Sequence, residues 1–274
     1  AGIAMRFVLA KVGLWQFVSK RSLRLLLPLL FGVLVIVPPQ LYAEMTYNGD
    51  LNLSFWQFMG EFYTLDSVIF EKYQSGIWPH IDVNHLWFIR SLWQFSLLIC
   101  LLIPLLNSSF VAKVVDWVVG QKGAVAVVIA TIPILFIQLG ENSDSTRDQI
   151  GFLFIVYGYL LALNGLFWQK IKSHFKPLLI SSLVCLVVLV SVYTLFWCDD
   201  VSTSIKLSGL FIYSLARVLG VLTLLSIASR YLNKNSKVLN YLNEAVYPFY
   251  ILHQTIIIVI GFNISGLQLG PVVE

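Results

Sequence analysis

Residues 25–43 read LLLPLLFGVLVIVPPQLYA, a run of nineteen residues without a charge. A bilayer core about 30 Å thick is crossed by about 20 apolar residues in an α-helix, so this stretch is long enough to span a membrane. Similar runs recur along the chain, and their continuous apolar character excludes a β-barrel, whose strands alternate apolar and polar residues. The sequence therefore predicts an all-α, polytopic integral membrane helix bundle.

The composition of the whole chain leads to the same class. Of its 274 residues, 58% are hydrophobic and 12% are charged. A soluble domain has about 45–50% apolar and about 25% charged residues, so the apolar excess indicates a protein embedded in lipid. Three cysteines are too few for a disulfide framework, and a net charge of +4, spread along the chain, does not indicate a nucleic-acid partner.

Seven complete spans are predicted, in one domain that covers residues 1–274. They are 25–43, 85–106, 123–140, 150–168, 177–197, 207–228 and 245–263. Residues 1–10 are apolar except for Arg6 and have the character of the second half of a further span. We therefore expect the chain to be a fragment, with helices missing before residue 1 and also after residue 274.

The loops between these spans predict the orientation of the chain. Loops 8–24, 107–122, 169–176 and 229–244 hold twelve of the eighteen basic residues, against three in the intervening loops. Because Lys and Arg collect in cytoplasmic loops, these four loops are expected to be cytoplasmic. The short loops and the clear charge bias are typical of a bacterial inner membrane.

Arg21 and Arg24 precede the first complete span. If this stretch is helical, the two side chains lie three residues apart on one face at the cytoplasmic surface, where two guanidinium groups can hold phosphate oxygens. This geometry suits a phosphorylated cytoplasmic cofactor. The alternative is that both residues are ordinary positively charged anchors of the span.

Three further positions stand out within or beside the spans. His85, three residues after Asp82, is either a base oriented by a carboxylate or an interfacial residue at a helix start. Arg217 falls near the centre of 207–228, where a charge costs at least about 2.5 kcal/mol. Its partner is a bound anion or an acid on a missing helix, or else it hydrogen-bonds to backbone carbonyls at a helix break. Tyr247, Tyr250 and His253 form a polar row that lines a cavity or serves as an interhelical hydrogen-bond network.

The outward segment 51–78 is rich in aromatic residues and is predicted to form an amphipathic interfacial helix. The alternative is that its aromatic faces bind apolar or sugar-ring ligands. Its aromatic residues are Phe55, Trp56, Phe58, Phe62, Tyr63, Phe70, Tyr73 and Trp78. The four histidines lack the spacing of metal ligands, so no metal site is predicted.

Several of these stretches, taken in order, resemble the acyltransferase-3 family of polytopic membrane O-acyltransferases, and its glucans biosynthesis protein C-like branch looks nearest. The similar stretches are 2–5, Arg21-x-x-Arg24, 27–32, 37–42, 85–88 and 247–254. The resemblance implies that Arg21 and Arg24 form the family's R-x-x-R motif on the acyl-donor side. It also implies an essential His on a first transmembrane helix that lies outside this chain, which leaves His85 and His253 as weak candidates for the catalytic base.

The resemblance further implies transfer of an acyl group, as in O-acetylation, from cytoplasmic acyl-coenzyme A to a hydroxyl of a carbohydrate or glycan. Arg217 is expected to be a further donor-binding residue, and Trp87, Tyr247, Tyr250 and His253 are expected to line the substrate pathway. Acyl-coenzyme A would be a co-substrate, with no permanently bound cofactor. The alternative is a non-enzymatic transporter or flippase of sugar or lipid-linked substrates.

Overall fold

A computed structural model describes residues 1–64, 68–73, 80–140, 143–196, 202–234 and 236–265. The helices are α1 (Gly2–Leu9), α2 (Leu14–Phe31), α3 (Pro38–Tyr47), α4 (Phe55–Phe62), α5 (Trp87–Leu106), α6 (Ser109–Gly120), α7 (Gly123–Gln138), α8 (Ser143–Leu161), α9 (Gly165–Ser173), α10 (Phe175–Phe196), α11 (Thr203–Ile227) and α12 (Lys237–Ser265). The shorter turns are π-helical at Gly32–Ile36 and Ala228–Leu232, and 3-10 at Val68–Tyr73 and Asn84–Leu86. No strand occurs among these residues, which confirms the all-α class.

Five helical segments of the described chain are long and apolar enough to cross a bilayer: Leu14–Tyr47, Asn84–Leu106, Phe175–Phe196, Thr203–Leu232 and Lys237–Ile264. A sixth would be the bent pair Ser145–Leu161 and Gly165–Ser173, and α7 is shorter. Only 6% of the most apolar window of α10 is buried by protein, as expected of a helix that faces lipid. The protein is therefore an integral membrane protein, while the count of seven spans stays a prediction.

The predicted boundaries agree with the helices for several spans, but the helical segment that contains 25–43 begins at Leu14, eleven residues earlier. The span 85–106 corresponds to Asn84–Leu106, and 207–228 falls within Thr203–Leu232. The span 177–197 corresponds to α10, although residue 197 lies outside the described residues. By contrast, α12 begins eight residues before the predicted 245, because its amphipathic first turns are helical but too polar for a hydropathy criterion.

The predicted span 150–168 is wrong at its C-terminal end. The helix α8 ends at Leu161, and α9 continues at an angle of 106°. Asn164 causes the break, because its Oδ1 accepts a hydrogen bond of 2.9 Å from the backbone N–H of Phe167 and so caps a new helix. Lys170 on α9 then donates hydrogen bonds to the carbonyls of Val119 and Gln121, at 2.6 and 2.8 Å. These bonds fix α9 to the C-terminal end of α6, a helix within the predicted loop 107–122.

The residues form two compact units, each made of two separate stretches of chain. One consists of residues 1–14 and 97–235, and the other of residues 15–96 and 236–274. The residues identified from the sequence as donor or pathway candidates belong to the second unit, except for Arg217.

In the first unit, α1 packs unusually closely against α8. A Cβ atom on Gly2 would lie 1.9 Å from the carbonyl oxygen of Ile155, and one on Gly158 would lie 3.2 Å from the backbone N of Ile3. Glycines at both positions therefore allow the backbones to approach, as is common between membrane helices. This contact fixes the position of Arg6 on α1 relative to α8.

In the second unit, two hydrophobic clusters flank the break between α2 and α3. One is formed by Leu25, Leu29, Val37, Leu86, Ile89 and Ile251. The other is formed by Met45, Leu51, Phe58, Phe62, Phe70 and Ile81. In place of one helix over 51–78, the described residues of the aromatic segment form α4 and the 3-10 turn Val68–Tyr73. Phe58 and Phe62 are buried in protein, whereas Trp56 is 81% exposed. Trp78 lies outside the described residues.

Candidate functional site

The long helix formed by α2 and α3 is interrupted, and backbone carbonyls at the break lose the N–H donors that a continuous helix would give them. Pro38 has no N–H, so the carbonyl of Leu34, four residues earlier, loses its helical donor. The hydroxyl of Tyr63 replaces that donor, at 2.8 Å. A π-helical turn at Gly32–Ile36 precedes the proline, and such turns often occur at functional sites.

A second carbonyl at the break recruits a side chain from α12. The backbone N–H of Gln40 bonds to Val37, at 2.9 Å, and leaves the carbonyl of Ile36 to another donor. The hydroxyl of Thr255 supplies the bond, at 2.8 Å. The break thus brings α12 to the polar side chain of Gln40.

Gln40 and His85 form the buried centre of this network. The Nε2 of Gln40 donates to the Oγ1 of Thr255 and lies 3.2 Å from Nδ1 of His85. The Nε2 of His85 lies 2.9 Å from the carbonyl oxygen of Ile251. Because a carbonyl only accepts, Nε2 carries the hydrogen and Nδ1 accepts from Gln40. Both nitrogens of His85 are therefore engaged by protein.

Gln40 keeps one unused acceptor. Its side chain is 1% exposed, and its Oε1 has no hydrogen-bond partner among the described residues. A buried acceptor without a donor costs about 1–3 kcal/mol, so this oxygen is suited to accept a hydrogen bond from a ligand hydroxyl.

Tyr247, Tyr250 and His253 lie along α12 beside these groups. The hydroxyl of Tyr250 donates to the carbonyl of His85, at 2.6 Å, and that of Tyr247 donates to the carbonyl of Arg24, at 3.2 Å. The Nδ1 of His253 lies 2.7 Å from the carbonyl of Tyr250, so Nδ1 carries the hydrogen and Nε2 keeps its lone pair. Within the described part of the chain, that Nε2 has no hydrogen-bond partner. Of the two candidate histidines, His253 is thus the one with a free basic nitrogen.

Arg21 and Arg24 both lie within α2, so the predicted helical geometry of this pair is present. The Nε of Arg21 donates to the Oγ of Ser96, at 2.8 Å, and its guanidinium lies over the ring of Phe17. Arg24 is exposed, and in the described ranges its guanidinium has no acidic or hydrogen-bonding partner. Its charge is therefore available to an anion.

Arg217 lies on α11, in the other unit. Its Nη2 donates to the hydroxyl of Tyr213, at 2.8 Å, and its guanidinium carbon lies 4.1 Å from the centre of that ring. Its Nη1 is buried without a hydrogen-bond partner in the part of the chain that the structure describes. The anionic partner of Arg217 therefore stays a prediction, and Nη1 is the atom at which such a partner would bind.

The structure brings together Arg24, Tyr247, Tyr250, His253 and His85 through the contacts of α12. Trp87, the first residue of α5, is half-buried, and its ring lies 5.9 Å from that of Phe88. Gln40 and Thr255 were missed by the sequence analysis, although the pair Pro38-Pro39 directly before Gln40 is a signal of a helix break. Among the described residues, no three His, Cys, Asp or Glu side chains are grouped to hold a metal ion.

Comparisons with known proteins identify a family. The family model Acyl_transf_3, described as an acyltransferase domain, matches residues 7–273, nearly the whole chain. No curated protein and no solved structure matches.

Proposed function

The chain belongs to the acyltransferase-3 family, and from this we propose that it transfers an acyl group from acyl-coenzyme A to a hydroxyl of a carbohydrate or glycan. Family membership makes it a membrane acyltransferase in general terms; the donor, the acceptor and the residue roles are the proposal. We propose one acyltransferase domain in a bacterial inner membrane, with loops 8–24, 107–122, 169–176 and 229–244 cytoplasmic. A glycan acceptor fits the glucans biosynthesis protein C-like branch that its motifs resemble.

The observation that carries the proposal is the exposed guanidinium of Arg24, one helical turn from Arg21. Two arginines at this spacing can bind several phosphate oxygens, and coenzyme A is a phosphorylated donor. The hydrogen bond from Arg21 to Ser96 holds one member of the pair in a fixed orientation, which reduces the entropy lost on binding. In this proposal both arginines bind donor phosphates, and Arg217, which lies in the other unit, is considered separately as an anion-binding residue.

The acceptor pathway would follow α12. In acyl transfer, a base takes the proton of the acceptor hydroxyl, the oxygen attacks the thioester carbonyl, and coenzyme A leaves as a thiol after gaining a proton. His253, with its Nδ1 held by the carbonyl of Tyr250, can accept a proton at Nε2. Trp87, Tyr247 and Tyr250 would line the route beside it, and Oε1 of Gln40 would accept a hydrogen bond from the sugar.

The test removes the arginine pair from the full-length protein. We expect Arg21→Ala/Arg24→Ala to raise the KM for acyl-coenzyme A about tenfold or more, because two charge-assisted contacts are lost. The control is Lys11→Ala/Lys20→Ala, which removes two exposed charges from the same predicted loop. Acyl transfer is measured with labelled acyl-coenzyme A in membranes, and undiminished transfer by the arginine variant would refute the donor site.

The second candidate is a transporter or flippase of sugar or lipid-linked substrates. Its support is the buried Oε1 of Gln40 in the second unit and, separately, the buried Nη1 of Arg217 in the first, since neither has a hydrogen-bond partner within the described residues and each is a polar group that a transported substrate would contact. Movement of a labelled sugar or lipid across vesicles without consumption of an acyl donor would favour this function over acyl transfer.

A further inference from the structure

Arg6 lies at the wall of a cavity of about 310 Å³ in the first unit. Two other polar side chains, Asn107 and Tyr159, line the cavity, and its remaining lining residues are apolar. Arg6 is the only charged residue among them. The cavity therefore combines a positive charge with an apolar wall, and among the described residues that line it there is no acidic side chain to neutralise that charge.

The contacts of Arg6 leave a defined edge of its guanidinium unused. Nη1 donates to the hydroxyl of Tyr159, at 2.7 Å, and to the Oδ1 of Asn107. The guanidinium carbon lies 4.8 Å from the centre of the Tyr159 ring. Nε and Nη2 have no hydrogen-bond partner among the residues described. These two nitrogens form the edge that binds the two oxygens of a carboxylate or phosphate.

Asn107 and Tyr159, both uncharged, hold the guanidinium of Arg6 in place. Tyr159 lies next to Gly158, whose missing side chain allows α1 to approach α8, so the close contact of the two helices sets Arg6 against the tyrosine ring. A fixed cation that already has its Nη1 bonds made loses little freedom when it binds an anion. The arrangement is thus preorganised for an oxyanion.

The apolar wall indicates what carries the oxyanion. Leu9, Val12, Ile103 and Leu163 line the same cavity. A fully solvated inorganic anion would gain nothing from these side chains, whereas an alkyl chain would gain about 0.8 kcal/mol for each methylene removed from water. The volume is at the lower end of the range for small-molecule sites, which suits an anionic group and the first part of a chain.

We propose that this cavity binds an amphiphilic oxyanion, with its phosphate or carboxylate on the Nε and Nη2 edge of Arg6 and its alkyl chain along the apolar wall. The source is a bilayer phospholipid or a free fatty acid, which present the same chemistry. This site is independent of the proposed donor site, since it uses neither Arg21 nor Arg24.

The test measures bound amphiphile by native mass spectrometry of the full-length protein in a neutral detergent. The probes are dioctanoyl phosphatidylglycerol, decanoate and the uncharged decanoyl glycerol. We expect saturable binding of an anionic probe and about tenfold weaker binding of decanoyl glycerol. Binding of phosphatidylglycerol alone identifies the lipid as the source, and binding of decanoate alone identifies the fatty acid. Equal binding of the neutral probe, or no binding of either anion, would overturn the proposal.

Two variants separate the charge from the cavity. Arg6→Gln should weaken binding of the anionic probe about tenfold or more, while Lys11→Gln, an exposed charge five residues later, should leave it unchanged. Ala10→Phe keeps Arg6 but places a ring in the cavity, and should also abolish binding. If the Arg6 variant fails to fold, the Ala10 variant decides the outcome, and unchanged binding by either folded variant contradicts the site.

Discussion

Thr255 illustrates at the residue scale why the polar network of the second unit depends on the prolines of another helix. Its hydroxyl donates to the carbonyl of Ile36 and accepts from Gln40, two residues beside the break. Neither the carbonyl of Ile36 nor the side-chain amide of Gln40 finds such a partner within its own helix. A single hydroxyl therefore satisfies both a backbone acceptor and a side-chain donor.

Thr255→Val is expected to lower the free energy of unfolding by about 1–2 kcal/mol, because it leaves the carbonyl of Ile36 without its donor. The matched control is Thr194→Val. Thr194 donates to the carbonyl of Val190 in its own helix, at 2.9 Å, where a lost hydroxyl costs less than about 0.5 kcal/mol. Thermal unfolding in detergent, followed by tryptophan fluorescence, measures both; equal stability of the two variants would contradict the role of Thr255.

The candidate site could be predicted from the sequence only in part. The spacing of Arg21 and Arg24, and of Tyr250 and His253, gives the shared helical face directly, because helical neighbours follow from the period alone. The bonds of Gln40 join residues 45 and 215 positions apart, and no local pattern specifies such pairs. The tautomers of His85 and His253 likewise depend on carbonyls whose positions only the fold provides.

At the scale of elements, α1 and α8 pack closely through glycines. Gly2 meets the backbone of Ile155, so any side chain at position 2 forces the two helices apart. By contrast, Gly220 on α11 has nothing within 4 Å of the position of a Cβ. These two glycines therefore differ in what a methyl group would do.

Gly2→Ala should destabilise the protein by about 1–3 kcal/mol through displacement of α1. Gly220→Ala should be neutral or stabilise by up to about 1 kcal/mol, because alanine restricts the unfolded chain and favours a helix. Unfolding measurements on both variants test the pair, and a Gly2 variant as stable as the wild type would disprove the close contact.

The 3-10 turn Val68–Tyr73 has a predictable response to pH. Lys72 bonds to Asp50, at 2.6 Å, and Tyr73 donates to the same carboxylate, at 2.9 Å, which joins Val68–Tyr73 to the end of α3. The hydrogen bonds from Lys72 and then from Tyr73 lower the pKa of Asp50 below its usual value. A lowered carboxyl pKa means that this link contributes at neutral pH and is lost as the pH falls through the pKa of Asp50 in the folded protein.

Hydrogen exchange of residues 68–73 measures this link. At pH 6–8, a range above about 3.9, the ordinary pKa of Asp, we expect Asp50→Asn to exchange faster than the wild type. The difference should disappear as the pH falls through the lowered pKa of Asp50. Comparison of the two proteins at each pH removes the intrinsic pH dependence of exchange, and a difference that persists in acid would contradict the assignment.

The helices themselves were largely predictable, because in lipid an apolar run of sufficient length has few alternative structures to an α-helix. The break at Asn164 was not, since hydropathy averages over a single capping side chain. For the same reason α6 was assigned to a loop, although Ser108 caps its first turn through a bond from the N–H of Val111, at 3.3 Å.

At the scale of the whole molecule, the orientation of the chain is the main prediction to test. In a background without the native cysteines, single cysteines at Lys72, Arg147 and Lys206 should react with a membrane-impermeant maleimide in intact cells. Single cysteines at Lys122, Lys172 and Lys234 should react only after permeabilisation. The cysteine-free protein is the control. Labelling of the Lys172 position in intact cells would mean that the bent pair α8 and α9 does not bring the chain back to the cytoplasm.

The contact between Gly2 and the backbone near Gly158 can form only after α8 has been synthesised, long after α1. The two glycines are 156 residues apart in the chain. At a synthesis rate of about 5–20 residues per second, the ribosome needs about 8–30 s to produce α8 after α1. During that interval the glycine face of α1 lacks its partner α8 and contacts other helices, lipid or the insertion machinery instead. The translation speed of the intervening segment therefore determines how long α1 is exposed to misinsertion and to quality-control proteases.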